Sequence, residues 1–206
     1  MSESTEVKTA VETVIEHSGR SVEALEWRKP TSSCQTVVLA DPDCSAEVLG
    51  PLAEQLSVKY RVVGIPFNHY WDAITAAWNA GEPVILIAQG EAGARACLAA
   101  VAAPGSFRAL VLADYAPPED SDEYRGVIVP TLVFHGRQSP AETHAQAVRL
   151  HERVLNSRLI EPENCGPQPT RSCAPVLAES IDWFLSGLGR EYMEFAAGSE
   201  PVDPRG

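Results

Sequence analysis

Apolar and polar residues alternate along two segments near the start of the chain, Val11–Glu16 and Ser21–Trp27. The turn between them, His17-Ser18-Gly19-Arg20, contains a glycine, and the whole pattern predicts an N-terminal β-hairpin. Continuous apolar runs, typical of strands buried on both faces, then alternate with helical periodicity. The runs predict strands at Thr36–Ala40, Tyr60–Ile65, Pro83–Ala88, Ala109–Ala113, Val129–His135 and Arg158–Ile160. The predicted helices are Ala46–Leu56 (with Ser45 as its N-cap), Trp71–Asn79, Ala92–Ala102, Ala141–Leu155 and Ala174–Leu188.

Strands that alternate with helices form βαβ units, which predict an α/β domain with a mostly parallel sheet flanked by helices. The chain of 206 residues is long enough for one such domain, which we place at residues 1–190. Residues 191–206 are rich in Glu, Gly and Pro, and we expect them to form a disordered acidic tail.

The formal net charge of −12 would repel nucleic-acid backbones and anionic membranes, so neither is expected as a partner. No apolar run approaches the roughly 20 residues that span a bilayer. The polar start Met1–Thr9 does not resemble a signal peptide, and a cytoplasmic location is expected. The high alanine content and the excess of arginine over lysine hint at a bacterial source. The five cysteines, an odd number without C-x-x-C spacing, predict neither a disulfide framework nor a zinc site; they are Cys34, Cys44, Cys97, Cys165 and Cys173.

The segment Val84–Gly93 reads as a buried strand, a tight turn and the start of a helix. In the α/β-hydrolase family, a G-x-S-x-G turn at this place holds the nucleophilic serine on strained backbone. In the register Ala88-Gln89-Gly90-Glu91-Ala92-Gly93, the nucleophile position is Gly90, which has no side chain. Glycine adopts such a backbone at little cost, so we interpret Gly90 as the remnant of a nucleophile turn. The alternative is an ordinary strand-to-helix loop closed by glycine.

Other segments resemble the same family in order and spacing, over about residues 20–188. Val37-Val38-Leu39 with Ser45-Ala46-Glu47 resembles the first parallel strand, oxyanion loop and helix, and Tyr60–Val63 resembles the next strand. Pro130–Gly136 is similar to the late P-x-L-x-x-x-G strand, and Glu163–Gly166 to the loop that carries the catalytic histidine. The resemblance implies an α/β-hydrolase-like fold. No lid domain is expected, since the acidic loop that takes its place, Asp114–Gly126, is too short.

The residues of the mechanism are missing when this resemblance is carried over position by position. The nucleophile falls on Gly90, and the acid falls on or near Ser139. The histidine falls on Pro167, which lacks even a backbone N–H. The resemblance therefore implies a degenerate member of the family, without a serine-hydrolase mechanism.

The oxyanion hole also departs from the family pattern. The His-Gly pair of the oxyanion loop falls on Asp41-Pro42, and the aligned backbone donors belong to Asp43 and Glu91. If either carboxylate turned inward, it would oppose an oxyanion by about 4 kcal/mol at ~4 Å and an effective dielectric near 20. That charge has the wrong sign for acyl transfer.

Other side chains remain near the carboxyl ends of the strands, where open α/β sheets bind ligands. A thiol on the loops there could act as a nucleophile, although buried inert thiols are commoner, and His135 could be a base or simply a hydrogen-bonded histidine. Asp41, Asp43 and Glu91 could form an acidic pocket, but their spacing matches no cation-binding loop. We therefore predict no metal and no cofactor. The pocket candidates are Asp41, Asp43, Cys44, Gln89, Glu91, His135 and Cys165.

Three hypotheses about function follow. The first is a non-catalytic protein that binds a small molecule or a protein partner at the former active-site face. The second is an enzyme with relocated chemistry, either acid/base work by His135 with Asp41 or Glu91, or a cysteine nucleophile. The third is a structural module that associates with itself, as a homo-oligomer, or within a larger assembly.

Overall fold

The structure, a computed structural model, describes residues 10–27 and 35–198, with side chains described as far as residue 188. Three predictions fall on segments outside the described residues: the polar start at 1–9, Cys34, and the last part of the tail, 199–206.

An eight-stranded sheet runs through the described residues in the order β1-β2-β4-β3-β5-β6-β7-β8. β1 pairs antiparallel with β2, and β2 with β4, whereas all pairs from β4 to β8 along the sheet are parallel. The predicted mostly parallel sheet with an N-terminal hairpin is therefore confirmed. The strands are β1 (Val11–His17), β2 (Arg20–Trp27), β3 (Thr36–Asp41), β4 (Arg61–Pro66), β5 (Val84–Gln89), β6 (Phe107–Ala113), β7 (Thr131–Phe134) and β8 (Ser157–Ile160).

Local signals explain where the helices begin and end. Ser45 caps the first helix, since its side chain accepts a hydrogen bond from the N–H of Val48 at 3.3 Å. The second helix ends at Ala80 and is capped by Gly81, which has the left-handed φ of 73° that favours glycine. The helices are α1 (Ala46–Leu56), α2 (Tyr70–Ala80), α3 (Ala92–Ala102), α4 (Ala141–Arg153), α5 (Pro169–Ser172) and α6 (Ala174–Gly198).

The sheet has an apolar core on each face. Successive side chains of a strand point to opposite faces, so Val38 of β3 belongs to one core and Leu39 to the other. The first core includes apolar residues of α2, α3 and α4, and the second includes those of α1 and α6. Both faces of the sheet are covered, which leaves the carboxyl edge of the strands, with its loops, as the place for a site.

Two features differ from the predictions. α6 continues to Gly198, so the part of the predicted disordered tail at residues 191–198 is helical. The reason is that residues 191–197, Glu-Tyr-Met-Glu-Phe-Ala-Ala, include good helix formers and no glycine or proline. The four-residue helix α5 was not predicted; it begins at Pro169, and proline is favoured in a first helical turn. Between β6 and β7 the chain forms turns but no helix or strand, as expected for a protein without a lid domain.

Candidate functional site

Gly90 sits in a sharp turn between β5 and α3. Its φ is 55°, its N–H donates to the Ala113 carbonyl at 2.9 Å, and its own carbonyl accepts from the N–H of Gly93 at 2.9 Å. This strand-turn-helix arrangement with one left-handed residue is the backbone geometry of a nucleophile turn. A Cβ built on Gly90 would meet nothing within 4 Å. Space for a side chain therefore exists here, and the reactive atom is absent.

A very small cavity lies beside Gln89, the last residue of β5. A cavity of about 10 Å³ lies between the ends of β3 and β5, α1 and α5, with Asp41, Gln89 and Thr170 among its lining residues. That volume holds one water molecule at most. The carboxamide of Gln89 closes the cavity, because its Oε1 accepts from the Thr170 N–H at 3.0 Å and from the Thr170 hydroxyl at 2.7 Å. These two hydrogen bonds thus connect the turn after β5 to α5, which follows β8 in the chain.

A disulfide closes the loop at the histidine position. Cys165 and Cys173 are bonded, both are buried, and Pro167 lies within the closed loop. The prediction of no disulfide framework was therefore wrong for this pair. It rested on the odd number of cysteines and on the lack of C-x-x-C spacing, whereas a link across eight residues forms where the loop meets the start of α6. The bond also removes Cys165 from the candidate nucleophiles, because a disulfide sulfur is not a thiolate.

The position carried over for the acid, Ser139, contacts a carboxylate from a neighbouring strand. The Ser139 hydroxyl donates to Asp114 Oδ1 at 2.9 Å, and Asp114 follows the end of β6 with an unusual φ of 52°. The same Oδ1 lies 2.9 Å from Nδ1 of His135, although the two atoms do not form a hydrogen bond. An acid therefore remains at this end of the sheet, but its histidine neighbour follows β7 and does not come from the loop at Pro167.

His135 is paired with Asp114, and not with Asp41 or Glu91 as the second hypothesis required. In the sheet order β3-β5-β6-β7, Asp41 stands three strands from His135, or roughly 14 Å at ~4.8 Å per strand. Glu91 is exposed at the start of α3, and its side chain makes no capping hydrogen bond. The structure therefore does not favour this part of the relocated-chemistry hypothesis, because the order of strands along the sheet separates Asp41 from His135.

A hydroxyl, an imidazole and a carboxylate do line up around His135. Thr143 Oγ1 lies 3.4 Å from His135 Nε2, opposite Asp114 on the other ring nitrogen. A nucleophilic triad needs a hydroxyl that a substrate can reach and donors for the oxyanion. Here His135 is fully buried, and the Thr143 hydroxyl donates to the Pro140 carbonyl at 2.7 Å. The arrangement holds the start of α4 against β6 and β7, which is a structural role.

A carboxylate accepts from a backbone N–H in the loop that the sequence resemblance aligns with the family's oxyanion loop. The Asp43 N–H donates to Asp41 Oδ1 at 2.8 Å. Burial raises the pKa of the Asp41 carboxyl, partly offset by this hydrogen bond, and the Asp43 charge raises it further. The donor that would stabilise an oxyanion in a hydrolase is thus used inside the loop.

We expect Asp41→Asn to increase the free energy of unfolding at pH 7, because Asn keeps the Oδ1 acceptor and is never charged. The stabilisation from a carboxyl of raised pKa is present below its ordinary pKa of 3.8 and is lost as the pH rises through the folded-state pKa. The gain should therefore shrink as the pH falls towards 3.8. Urea unfolding at pH 7 and near pH 3.8 measures the gain in the free energy of unfolding, with the exposed Asp120→Asn as the control. A gain that does not depend on pH would contradict this explanation.

Cys44 faces the N-terminal hairpin and is a poor nucleophile in this setting. Its burial raises the pKa of the thiol to about 11, and the nearby charges of Asp41 and Asp43 raise it as well, while a hydrogen bond from the Leu25 backbone lowers it. Only a very small fraction of the thiol is ionised at neutral pH. The cysteine form of the relocated-chemistry hypothesis therefore has no activated thiol at Cys44.

A large open groove lies beside the closed turn, between the N-terminal hairpin and the loop at residues 42–44. We call it the hairpin groove; its volume is about 540 Å³. Two of the predicted pocket residues, Asp43 and Cys44, lie in its wall, whereas Gln89 belongs to the small cavity. The groove is lined by Glu12, Val14, Glu23, Leu25, Asp43 and Pro66, among other residues. Among the described residues, no group of three His, Cys, Asp or Glu side chains is placed to hold a metal ion.

Comparison with known proteins identifies the fold. No protein-family model matches the sequence, and no curated protein matches it. Among solved structures, a serine hydrolase involved in carbazole degradation has a TM-score of 0.68 at 16% identity, over 86% of this chain and 99% of the other. A 2-hydroxy-6-oxo-6-phenylhexa-2,4-dienoate hydrolase from Rhodococcus has 0.68 at 14%, over 86% and 99%. A serine hydrolase from Cycloclasticus zankles has 0.69 at 12%, over 87% and 99%.

The chain therefore has the α/β-hydrolase fold, as its sequence resemblance implies. At these identities the likeness concerns the fold alone. In the part of the chain that the structure describes, no helix is long and apolar enough to cross a membrane.

Three residues important to this site were not among the predicted ones: Asp114, Thr170 and Cys173. Asp114 directly follows a predicted strand, and this position could have been noticed, although it was assigned to the acidic loop. Thr170 and Cys173 gave no such signal, since their contacts with Gln89 and Cys165 arise only when α5 folds back on β5.

Proposed function

We propose that this protein is a non-catalytic member of the α/β-hydrolase fold that binds a small molecule in the hairpin groove, beside the former active site. The observation that supports this most is the contrast between the two spaces. The small cavity beside Gln89 holds one water at most, whereas the hairpin groove has the size of a small-molecule site. The proposed site includes two of the pocket residues expected from the sequence, Asp43 and Cys44.

The loss of chemistry supports the same proposal. A serine-hydrolase mechanism needs a nucleophile, a base and free oxyanion donors at one point. Gly90 has no side chain, Pro167 has no imidazole, and the Asp43 N–H is bonded to Asp41. Each of these changes by itself removes a component that the mechanism requires.

An assay with p-nitrophenyl esters of two to eight acyl carbons tests the absence of catalysis. We expect no turnover above the buffer rate, for the natural protein and for Cys44→Ala. We also expect none for the double variant Gly90→Ser with Pro167→His, because the Asp43 N–H stays bonded to Asp41 and cannot serve an oxyanion. Saturable turnover that is lost in Cys44→Ala would refute the proposal. Activity of the double variant would show that an oxyanion donor is free.

Binding is tested separately with Nile red, a neutral dye whose fluorescence rises in apolar surroundings. We expect saturable binding to the natural protein and loss of binding in Val14→Trp, since Val14 lines the hairpin groove and is 58% exposed. Ile128→Trp is the matched control, because Ile128 is 68% exposed and does not line the groove. Equal effects of the two variants would contradict binding in the groove.

A further inference from the structure

The hairpin groove has one wall made by a single face of the hairpin. Glu12 lies opposite Leu25, and Val14 lies opposite Glu23, in the antiparallel register of β1 and β2. Directly opposed residues share a face of the sheet, and diagonal neighbours are roughly 7–8 Å apart. The two carboxylates are therefore on one diagonal of this face and the two apolar side chains on the other.

The second wall adds a third carboxylate and more apolar surface. Asp43 lies across the groove on the loop at residues 42–44, with Pro42 and Pro66 beside it. Among the described residues, no Lys, Arg or His side chain forms a salt bridge with Glu12, Glu23 or Asp43. The groove thus combines unneutralised negative charge with apolar walls.

We propose that the ligand of the hairpin groove is a small organic cation, an ammonium group on an aliphatic chain; this inference rests on the proposed function. The ammonium lies between the carboxylates of Glu12 and Glu23, where a charge-assisted hydrogen bond to each is within reach. The chain lies along Val14, Leu25 and Pro66 and is removed from water. An anion is repelled by three carboxylates, and a neutral ligand leaves them unpaired.

Other occupants fit these walls less well. A divalent metal ion needs several oxygen ligands at one point, and no three such side chains converge among the described residues. A second copy of this chain carries the same net charge of −12 and adds Glu12 and Glu16 at its own β1 edge, so like charges would oppose pairing. The concave shape and limited volume suit a small molecule better than the surface of a large partner.

Isothermal titration with three molecules of the same chain length tests the inference: n-hexylammonium, 1-hexanol and hexanoate. In buffer of about 10 mM ionic strength, we expect hexylammonium to bind at least about tenfold more tightly than hexanol, and hexanoate not to bind. Hexanol binding as tightly as hexylammonium would overturn the inference. Calcium binding in the groove more tightly than hexylammonium would overturn it too.

The double variant Glu12→Gln with Glu23→Gln locates the charge effect. We expect it to weaken hexylammonium binding at least about tenfold and to leave Nile red binding unchanged. Glu142→Gln with Glu152→Gln on α4 is the matched control, because it removes the same charge from exposed positions outside the groove. The single variant Asp43→Asn, on the other wall, measures the contribution of the third carboxylate to hexylammonium binding independently. An equal loss in the control would show a general charge effect and overturn the inference.

The two proposals fail in different ways. If Nile red binds in the groove but hexylammonium does not, the proposed function stands and the cationic ligand is wrong. If neither binds, or if Val14→Trp changes neither, the hairpin groove is not a ligand site and both proposals fail.

Discussion

Gly136→Ala is expected to lower the free energy of unfolding by about 3 kcal/mol, at the upper end for overpacking a core. A Cβ at Gly136 would stand 2.4 Å from the Cys165 carbonyl oxygen and 2.6 Å from its carbon. Both are backbone atoms, and they cannot move aside easily, because the Gln138 N–H donates to this carbonyl at 2.9 Å and Cys165 is in the disulfide. The substitution therefore forces the loop after β7 away from the loop after β8.

Urea unfolding followed by circular dichroism measures this effect. Gly166→Ala is the matched control in the facing loop, since its Cβ would meet only the Gln138 Cβ at 3.9 Å, an ordinary contact. We expect the control to stay within about 0.5 kcal/mol of the natural protein. If both variants are equally stable, the close contact of the two loops is wrong.

Replacing both Cys165 and Cys173 by alanine is expected to cost about 2.5 kcal/mol. The value follows from the loop-closure entropy of a link across eight residues. A reducing agent should destabilise the natural protein by a similar amount and leave the double variant unchanged. Cys44→Ala is the control, because Cys44 is a free thiol. A natural protein that is insensitive to the reductant would contradict the disulfide.

This disulfide is relevant to the cellular location of the protein. Disulfides persist in oxidising compartments and are rare in the cytosol of most organisms. The Cys165–Cys173 bond therefore weighs against the cytoplasmic location expected from the sequence. Mass spectrometry of the protein after alkylation in the intact cell distinguishes the oxidised pair from two free thiols.

Much of the fold followed from local pattern. The alternation at Val11–Glu16 and the apolar runs around Leu39 and Leu86 predicted the hairpin and the buried strands, because a strand shows its burial with a period of two or as a continuous run. The helix at Ala174 was predicted to stop at Leu188, and the structure extends it to Gly198. The composition of residues 191–206 had indicated a tail, but residues 191–197 favour helix, and the helix continues through them.

The site was less predictable, because its contacts join residues far apart in the chain. Gly90 as a left-handed turn residue followed from the sequence, and its φ of 55° agrees. The pairing of His135 with Asp114, and the bonds from Gln89 to Thr170, depend on the order of the strands. In that order β6 lies beside β7, so Asp114 and His135 at their ends are neighbours. The chain after β8 then returns to the end of β5, where Thr170 contacts Gln89.

The sequence by itself therefore determined the class of fold and the absence of a nucleophile at Gly90, since both rest on residue types and their spacing. Only the tertiary structure decided that the cavity beside Gln89 holds one water at most and that the hairpin groove is open near it. The physical reason is that a cavity is bounded by side chains from separate elements. Glu12, Glu23 and Asp43 share one groove only because the hairpin packs against β4, which brings it next to the loop after β3.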